Sequence, residues 1–324
     1  MEARKEKLGS HHPDTLTSIA DVALTYLYQG RWDEAEKLQV QVMEARKEKL
    51  GSHHPYTLTS MANLAGTYSE QGKWDKVEKL EMKVMEIRKE KLGSHHPDTL
   101  KSMANLAATY RQQGKWDEAE KLQVQVMDAM KEQLGSHHPD TLTSMANLAA
   151  TYWHQGKWDK AEKLELQVME ASQEKLGSQH SDTLTSMANL AATYRKQGKQ
   201  DEAEKLEVQV MDTRKEKLGS YHPDTLTSMA NLAATYREQG KWDEAEKLQV
   251  QVMEARKERL GSHHPGTLTC MANLAIMYWY QGKLDEADAL LSQAVKVMEK
   301  IMGFQHPTTI NVRTSLNQLK SLRG

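Results

Sequence analysis

The chain repeats itself with a fixed period of 42 residues. One set of glycines marks the period: Gly9, Gly51, Gly93, Gly135, Gly177, Gly219, Gly261 and Gly303. A second set runs from Gly30 to Gly282 at the same spacing. Periods of this size are typical of stacked supersecondary units rather than of one globular core. We therefore expect part of a second helix at 1–12, seven helix-turn-helix repeats at 13–306 and a capping helix at 307–324.

Each repeat contains two amphipathic stretches. In the sixth repeat Leu226, Met229 and Leu232 recur at helical spacing, and a second apolar stripe includes Ala245 and Leu248. One repeat cannot bury both stripes by itself, so neighbouring repeats must stack to form the core. The pattern predicts an all-α, helical-repeat solenoid of antiparallel helix pairs.

The helix boundaries are also encoded locally. Pro223 suits the first turn of a helix, and His222 before it can act as a cap. Gly240 and Gly261 are placed to end the first and second helices in the left-handed conformation.

Composition excludes several classes of protein. Lys and Arg number 43 against 45 Asp and Glu, which leaves no excess charge to attract nucleic acid or anionic lipid. No apolar run approaches the roughly 18 residues of a membrane span. The single cysteine, Cys270, excludes a disulfide framework and fits a cytoplasmic protein.

The segment from Ser10 to Asp14 contains the residue types of a hydrolase triad. Five consecutive residues cannot converge around one reacting atom, so we expect no enzyme and no catalytic residue. Histidines one repeat apart are too distant to share a metal with bonds of about 2 Å. No P-loop accompanies the glycine-lysine pairs, and we expect neither a metal nor a cofactor. Capping is the role that these histidines are predicted to have.

The stretch NLAATYREQGKWDEAEKL, residues 231–248, resembles the tetratricopeptide repeat (TPR). Leu232, Ala233, Tyr236 and Gly240 stand where that family has its Leu, small residue, Tyr and Gly. The period of 42 and the HPDT helix start are similar to the kinesin light chain type of this repeat. The resemblance implies a TPR-like superhelix that binds an extended peptide or a partner helix in a concave groove lined by first helices. The chain departs from the family where a bulky aromatic is usual in the second helix, at Gln39, Glu81, Gln123, Glu165, Glu207 and Gln249.

The repeats differ from one another mainly on one face of the first helix. Spacings of 7 and 11 residues, as between Lys101, Ala108 and Gln112, return to the same face, and an asparagine lies between them in each repeat after the first. Asparagine amides can bond the backbone of an extended peptide, while the variable positions select its side chains. The candidate groove residues are Tyr28, Asn63, Lys101, Asn105, Arg111, Asn147, Trp153, Asn189, Arg195, Lys196, Asn231, Arg237, Asn273, Trp279 and Tyr280.

These residues make the middle of the expected groove basic and give it aromatic anchors. They favour an acidic peptide partner with bulky apolar residues, with Trp153 and Trp279 expected to be exposed. The chaperone-binding carboxylate clamp of some relatives is not expected, because Ala230 and Ala234 replace its lysine and asparagine. The other reading of the variable face is simple drift of solvated positions.

An alternative function belongs to a different class. Similar arrays are attached to NLR-like nucleotide-binding receptors, where the repeats have a sensing, structural or self-assembling role. Met1 aligns with Met43, which suits a piece of a longer array. The two unlike ends of such a piece predict head-to-tail self-association.

Overall fold

The computed structural model describes residues 2–321, so Leu322 and Arg323, expected in the capping helix, lie outside the described residues. The chain divides into two compact halves, one ending at Leu164 and one beginning at Glu165. Each half is built only from helices in the part of the chain that the structure describes. The expected all-α fold of repeated helix pairs is confirmed.

The described part of the amino-terminal half, residues 2–164, holds eight helices and the start of a ninth. They are α1 (Glu2–Leu8), α2 (Pro13–Tyr28), α3 (Trp32–Leu50), α4 (Pro55–Glu70), α5 (Trp74–Leu92), α6 (Pro97–Gln112), α7 (Trp116–Leu134), α8 (Pro139–His154) and α9 (Trp158–Leu176), which crosses into the other half. From α2 to α8 each helix packs against the next one along the chain. Even-numbered helices are the first helices of the repeats, and odd-numbered ones the second.

The carboxyl-terminal half continues the same alternation. Its helices after α9 are α10 (Ser181–Lys196), α11 (Gln200–Leu218), α12 (Pro223–Glu238), α13 (Trp242–Leu260), α14 (Pro265–Tyr280), α15 (Leu284–Ile301) and α16 (Pro307–Ser321). Consecutive helices from α10 to α16 pack against one another, and α14 also contacts α16. No helix among the described residues is long and apolar enough to cross a membrane.

Histidine caps begin the first helices. The Nδ1 atom of His222 accepts the backbone N–H of Asp224 at 3.2 Å, with His222 in the extended conformation and Pro223 at the first helical position. The same bond recurs at α2, α4, α6, α8, α10 and α14. The predicted capping role of these histidines is confirmed, since each one satisfies an N–H that has no partner inside the helix.

Glycines end both helices of a repeat, but in two different conformations. Gly240 has φ +76°, its N–H donates to the Arg237 carbonyl, and the next N–H reaches the Tyr236 carbonyl at 2.8 Å. This is the double hydrogen bond of a Schellman motif. Gly261 has φ 88° and ψ 159°, so the expected left-handed conformation is wrong there. These backbone dihedral angles lie in a region of φ/ψ space that glycine alone adopts readily, and they give an extended connection to the next helix.

The core runs from repeat to repeat. In the carboxyl-terminal half Leu226, Met229 and Val252 are buried together with Cys270 of the following repeat. Ala233, at the crossing of the two helices, is fully buried. Methionines of the first helices from α4 onwards are buried, whereas most of those of the second helices, such as Met253, are half-buried, and Met298 on α15 is fully buried. Each repeat therefore depends on its neighbours for much of its buried apolar surface.

The fifth repeat, residues 181–222, should be the least protected part of its half. Ser181 stands where other first helices begin with proline, and half-buried Gln200 stands where Trp242 stacks on Tyr280 at 5.6 Å. His180 caps α10 in the usual extended geometry, so proline fits at Ser181. We expect Ser181→Pro to stabilise this repeat by about 0.5 kcal/mol, because proline restricts the unfolded chain.

Hydrogen exchange followed by mass spectrometry measures this effect. Amides of α10 and α11 should exchange before those of α12 and α13, and Ser181→Pro should reduce this difference in exchange rate. The matched change Pro223→Ser should weaken the sixth repeat in the same way. Equal exchange in the two repeats of the unmodified chain would contradict the prediction.

Candidate functional site

The first helices each carry a stripe of exposed and half-buried side chains along one side. In α6 it consists of Lys101, Asn105, Ala108 and Gln112, all exposed and spaced four, three and four residues apart. The opposite side of α6, including Leu106, is buried. We call this stripe, together with its counterparts on α2, α4 and α8 in one half and on α10, α12 and α14 in the other, the first-helix face.

The asparagines lie along this face. Asn105, Asn147, Asn189 and Asn273 are exposed, and Asn63 and Asn231 are half-buried. Asn147 Oδ1 lies 3.4 Å from Arg111 Nη1 on the neighbouring first helix. The backbone carbonyl of Asn231 lies 3.4 Å from Arg195 Nη1. The exposed asparagines are therefore accessible to a ligand, and Asn147 and Asn231 also contact an arginine of the neighbouring first helix.

The aromatic candidates fall into two groups. The side chains of Tyr28 and Tyr280 are 88% and 67% exposed. Trp153 and Trp279 are half-buried instead of exposed, packing against the clusters that contain Leu148 and Ala275. The reason is helical spacing: Trp279 follows buried Ala275 by four residues and so points to the same side of α14. Only part of each tryptophan ring is left for a ligand.

The basic candidates also differ in their surroundings. Arg111 is half-buried, and this burial lowers the pKa of its guanidinium below the ordinary value. Arg195 Nε lies 3.7 Å from Glu207 Oε1, and that carboxyl group is almost fully buried. Lys101 and Lys196 are exposed, and Arg237 is half-buried. The basic side chains therefore differ: Lys101 is exposed, whereas Arg195 lies beside a buried carboxyl group.

A cavity opens beside Arg111 in the amino-terminal half. Its volume is about 160 Å³, and it lies between first helices α6 and α8 with second helix α7 as its floor. Its polar and charged lining residues are Arg111, Gln123, Asp140, Thr143, Ser144 and Asn147. The cavity thus brings together two variable positions, Ala108 and Arg111, and one asparagine, Asn147.

A buried polar position under the first-helix face was not recognised as functional from the sequence. It is the position where the chain departs from the family's aromatic. Gln39 accepts a hydrogen bond from Thr67 at 2.7 Å, and Gln123 accepts one from Thr151 at 2.6 Å. Each donor lies on the next first helix, 28 residues downstream, and both threonines are fully buried. In the sequence, the threonine that recurs 28 residues after five of the six Gln or Glu residues could have indicated this buried hydrogen bond.

In three repeats this position holds a glutamate, at 81, 165 and 207. Thr109 donates a hydrogen bond to Glu81 at 2.6 Å, and Thr235 donates one to Glu207. Burial nevertheless raises the pKa of both carboxyl groups above the ordinary value. A glutamate here places a poorly solvated negative charge beneath the face, and a glutamine does not.

Ion pairs also tie one repeat to the next. Lys115 Nζ lies 2.7 Å from Glu78 Oε2, and the lysine also lies over the ring of Tyr110 at 5.6 Å. Lys157 pairs with Glu120 in the same way at 2.6 Å. The lysine bond is the largest factor that holds the pKa of Glu78 below its usual value. These contacts link a second helix to the turn that follows the first helix of the next repeat.

Comparison with known proteins assigns the repeat to a family. The tetratricopeptide repeat model matches residues 17–90, 82–132, 98–174, 154–216, 208–258 and 224–300. One similar solved structure is that of a Podosopora anserina protein described as a kinesin light chain with nearly identical TPR-like repeats. It is 33% identical to this chain with a TM-score of 0.60, and the match covers 64% of this chain and 98% of that one. A search of curated protein sequences found no match.

Two more distant structures share the fold. BtubC (BKLC) from P. vanneervenii is 20% identical with a TM-score of 0.59, covering 72% of this chain and 94% of its own. A signal-transduction ATPase with a TPR sensor from Pyrococcus horikoshii is 16% identical with a TM-score of 0.66, covering 95% of this chain and 44% of its own. TPR arrays are protein-interaction scaffolds and are generally not enzymes. The family model spans most of the chain, which therefore belongs to the tetratricopeptide repeat family, with repeats of the kinesin light chain type.

Proposed function

We propose that the first-helix face binds an extended acidic peptide that carries bulky apolar residues. The observation that supports this most directly is the series of exposed asparagines on neighbouring first helices, as at Asn105 and Asn147. A side-chain amide both donates and accepts, so such a series can pair with the N–H and C=O groups of a peptide lying across the helices.

Charge and apolar surface give this peptide its character. In the amino-terminal half Lys101 supplies positive charge on the first-helix face, and Arg111 supplies it in the adjoining cavity. Tyr28 offers an exposed ring, and Tyr280 offers one that is held by stacking on Trp242 and Trp279. A ring fixed in this way loses little conformational freedom when it binds, which favours its use as an anchor.

The alternative function is that of a sensor region in a larger NLR-like nucleotide-binding receptor. The Pyrococcus horikoshii protein carries its TPR array as a sensor, but at 16% identity that likeness shows the fold alone. Exposed asparagines on the first helices favour the peptide-binding function, because a purely structural array has no need of them.

The repeat bounds, the self-association and the cellular location belong to the same proposal. The proposed partial repeat at 1–12, seven repeats at 13–306 and cap at 307–324 are supported by the starts of α1, α2 and α16 at Glu2, Pro13 and Pro307. Head-to-tail association stays a prediction: Thr25 on α2 is exposed, whereas its counterpart Thr67 is covered by a preceding repeat. A cytoplasmic location stays an expectation, with Cys270 as a free, buried thiol.

Peptide display on the intact chain tests the proposed function. We expect selected peptides to be acidic with apolar residues, and their affinity to fall as salt rises, because exposed charges are screened over about 8 Å at physiological ionic strength. Lys101→Glu should weaken binding about tenfold, since it places like charge beside the peptide.

The control is the same reversal on another surface. Lys121 on second helix α7 is exposed and lies outside the first-helix face, so Lys121→Glu should leave affinity almost unchanged. The proposal fails if both reversals have the same effect, or if selection enriches no acidic sequence. Fluorescence anisotropy with one selected peptide measures all of these affinities.

A further inference from the structure

Arg111 is a poorly solvated cation with no anion beside it. Its Nη1 reaches the neutral Asn147 Oδ1 at 3.4 Å, and no carboxylate among the described side chains, residues 4–321, lies within ion-pair distance of it. The guanidinium lines a cavity of about 160 Å³ whose floor includes the neutral Gln123. A partly buried charge without a counterion is costly, so an anion that enters this cavity gains more than it would at an exposed arginine.

Arg195 occupies the same position in its own repeat but has a different environment. It is 84 residues from Arg111, which is two periods, and the residue twelve positions further on is Glu207 where Arg111 has Gln123. Glu207 Oε1 lies 3.7 Å from Arg195 Nε, so this guanidinium already has a buried counterion. Arg195 therefore has a carboxyl group at ion-pair distance, whereas Arg111 has a glutamine at the corresponding position.

We propose that the Arg111 cavity is a carboxylate-binding subsite for a glutamate or aspartate side chain of the peptide, and that the buried Gln or Glu below the face decides which groove arginine accepts an acid. This rests on the proposed function and adds the residue that recognises the acid. Gln123 leaves Arg111 available, and Glu207 makes Arg195 unavailable.

The dimensions and the other charges at the cavity are compatible with this ligand. A cavity of about 150 Å³ can hold a benzene-sized molecule, and a carboxyl group with its methylene is smaller. Asp140, which is the one acidic residue among the described residues that line the cavity, has a side chain that is 68% exposed. It lies seven residues before Asn147 on α8, which is about 10 Å along the helix axis. Water and salt therefore weaken its repulsion of an acid at Arg111.

Carbon-detected NMR of the arginine Cζ atoms in the intact chain tests the subsite without the peptide. The probe is N-acetylglutamate N-methylamide, and the corresponding glutamine compound is the neutral control, both at pH 7.5. We expect a saturable shift of the Arg111 signal with the glutamate probe alone. Arg111→Gln removes the signal and identifies it.

Exchanges at the buried position test the second part of the proposal. Gln123→Glu should weaken probe binding at Arg111 by about tenfold or more, the loss expected for a charge-assisted hydrogen bond. Glu207→Gln should make the Arg195 signal respond to the probe. Gln39→Glu is the matched control, because its repeat has Leu27 in place of the arginine, and it should leave Arg111 unchanged.

The chain itself carries glutamate at 81, 165 and 207, so Gln123→Glu is compatible with the fold, and circular dichroism checks this. No glutamate-specific response at Arg111, or an unchanged response in Gln123→Glu, overturns the subsite. Selected peptides that still bind would then leave the proposed function intact. A response at Arg111 with no peptide ever selected would support the subsite and contradict the proposed function.

Discussion

Replacing Leu232 by alanine is expected to destabilise the sixth repeat by about 3 kcal/mol, the cost of emptying a well-packed leucine site. Its side chain is 1% exposed at the contact between helices. Leu260 in the same repeat is 50% exposed, so Leu260→Ala should cost less than about 1 kcal/mol.

Hydrogen exchange resolved by helix is the measurement, because repeat arrays do not unfold in one cooperative step. In Leu232→Ala the amides of α12 and α13 should lose protection first, followed by their neighbours in the same half. If Leu232→Ala and Leu260→Ala reduced protection equally, the core assignment would be wrong.

Replacing Glu81 by glutamine is expected to stabilise the chain at neutral pH, on the order of 1 kcal/mol. Burial is the main cause of the raised pKa of Glu81, and the hydrogen bond from Thr109 opposes it. The folded chain therefore binds this proton more tightly than the unfolded chain does. Gln39 and Gln123 occupy the same position with the same threonine bond, so glutamine fits there.

The pH dependence distinguishes this cause from a packing effect. With a raised folded pKa, the stability contributed by Glu81 is fully present below the ordinary glutamate value of about 4.3 and is lost as pH rises through the folded value. Glu81→Gln and the unmodified chain should therefore agree near pH 4 and diverge towards pH 7 in thermal or urea unfolding. Exposed Glu86→Gln is the control. A stability difference independent of pH would refute this account.

Much of the fold followed from the sequence because the relevant forces act within a few residues. The cap formed by His222, the proline after it and the Schellman turn at Gly240 each involve groups no more than five residues apart. The exposed stripe of Lys101, Asn105 and Gln112 follows from helical periodicity. The conformation of Gly261 was missed because the path to the next helix, and not the glycine itself, selects it.

The charge of the candidate site was decided by tertiary structure. The sequence identified Arg111 and Arg195 as equivalent basic positions of the groove, and the structure gives only Arg195 a carboxylate, from Glu207 on the next helix. Tertiary packing also buries part of the Trp153 and Trp279 rings against core clusters. Local sequence determines which residues share a helix face, whereas burial and counterions come from helices that meet only after packing, and those contacts set the free energy of every charge at the site.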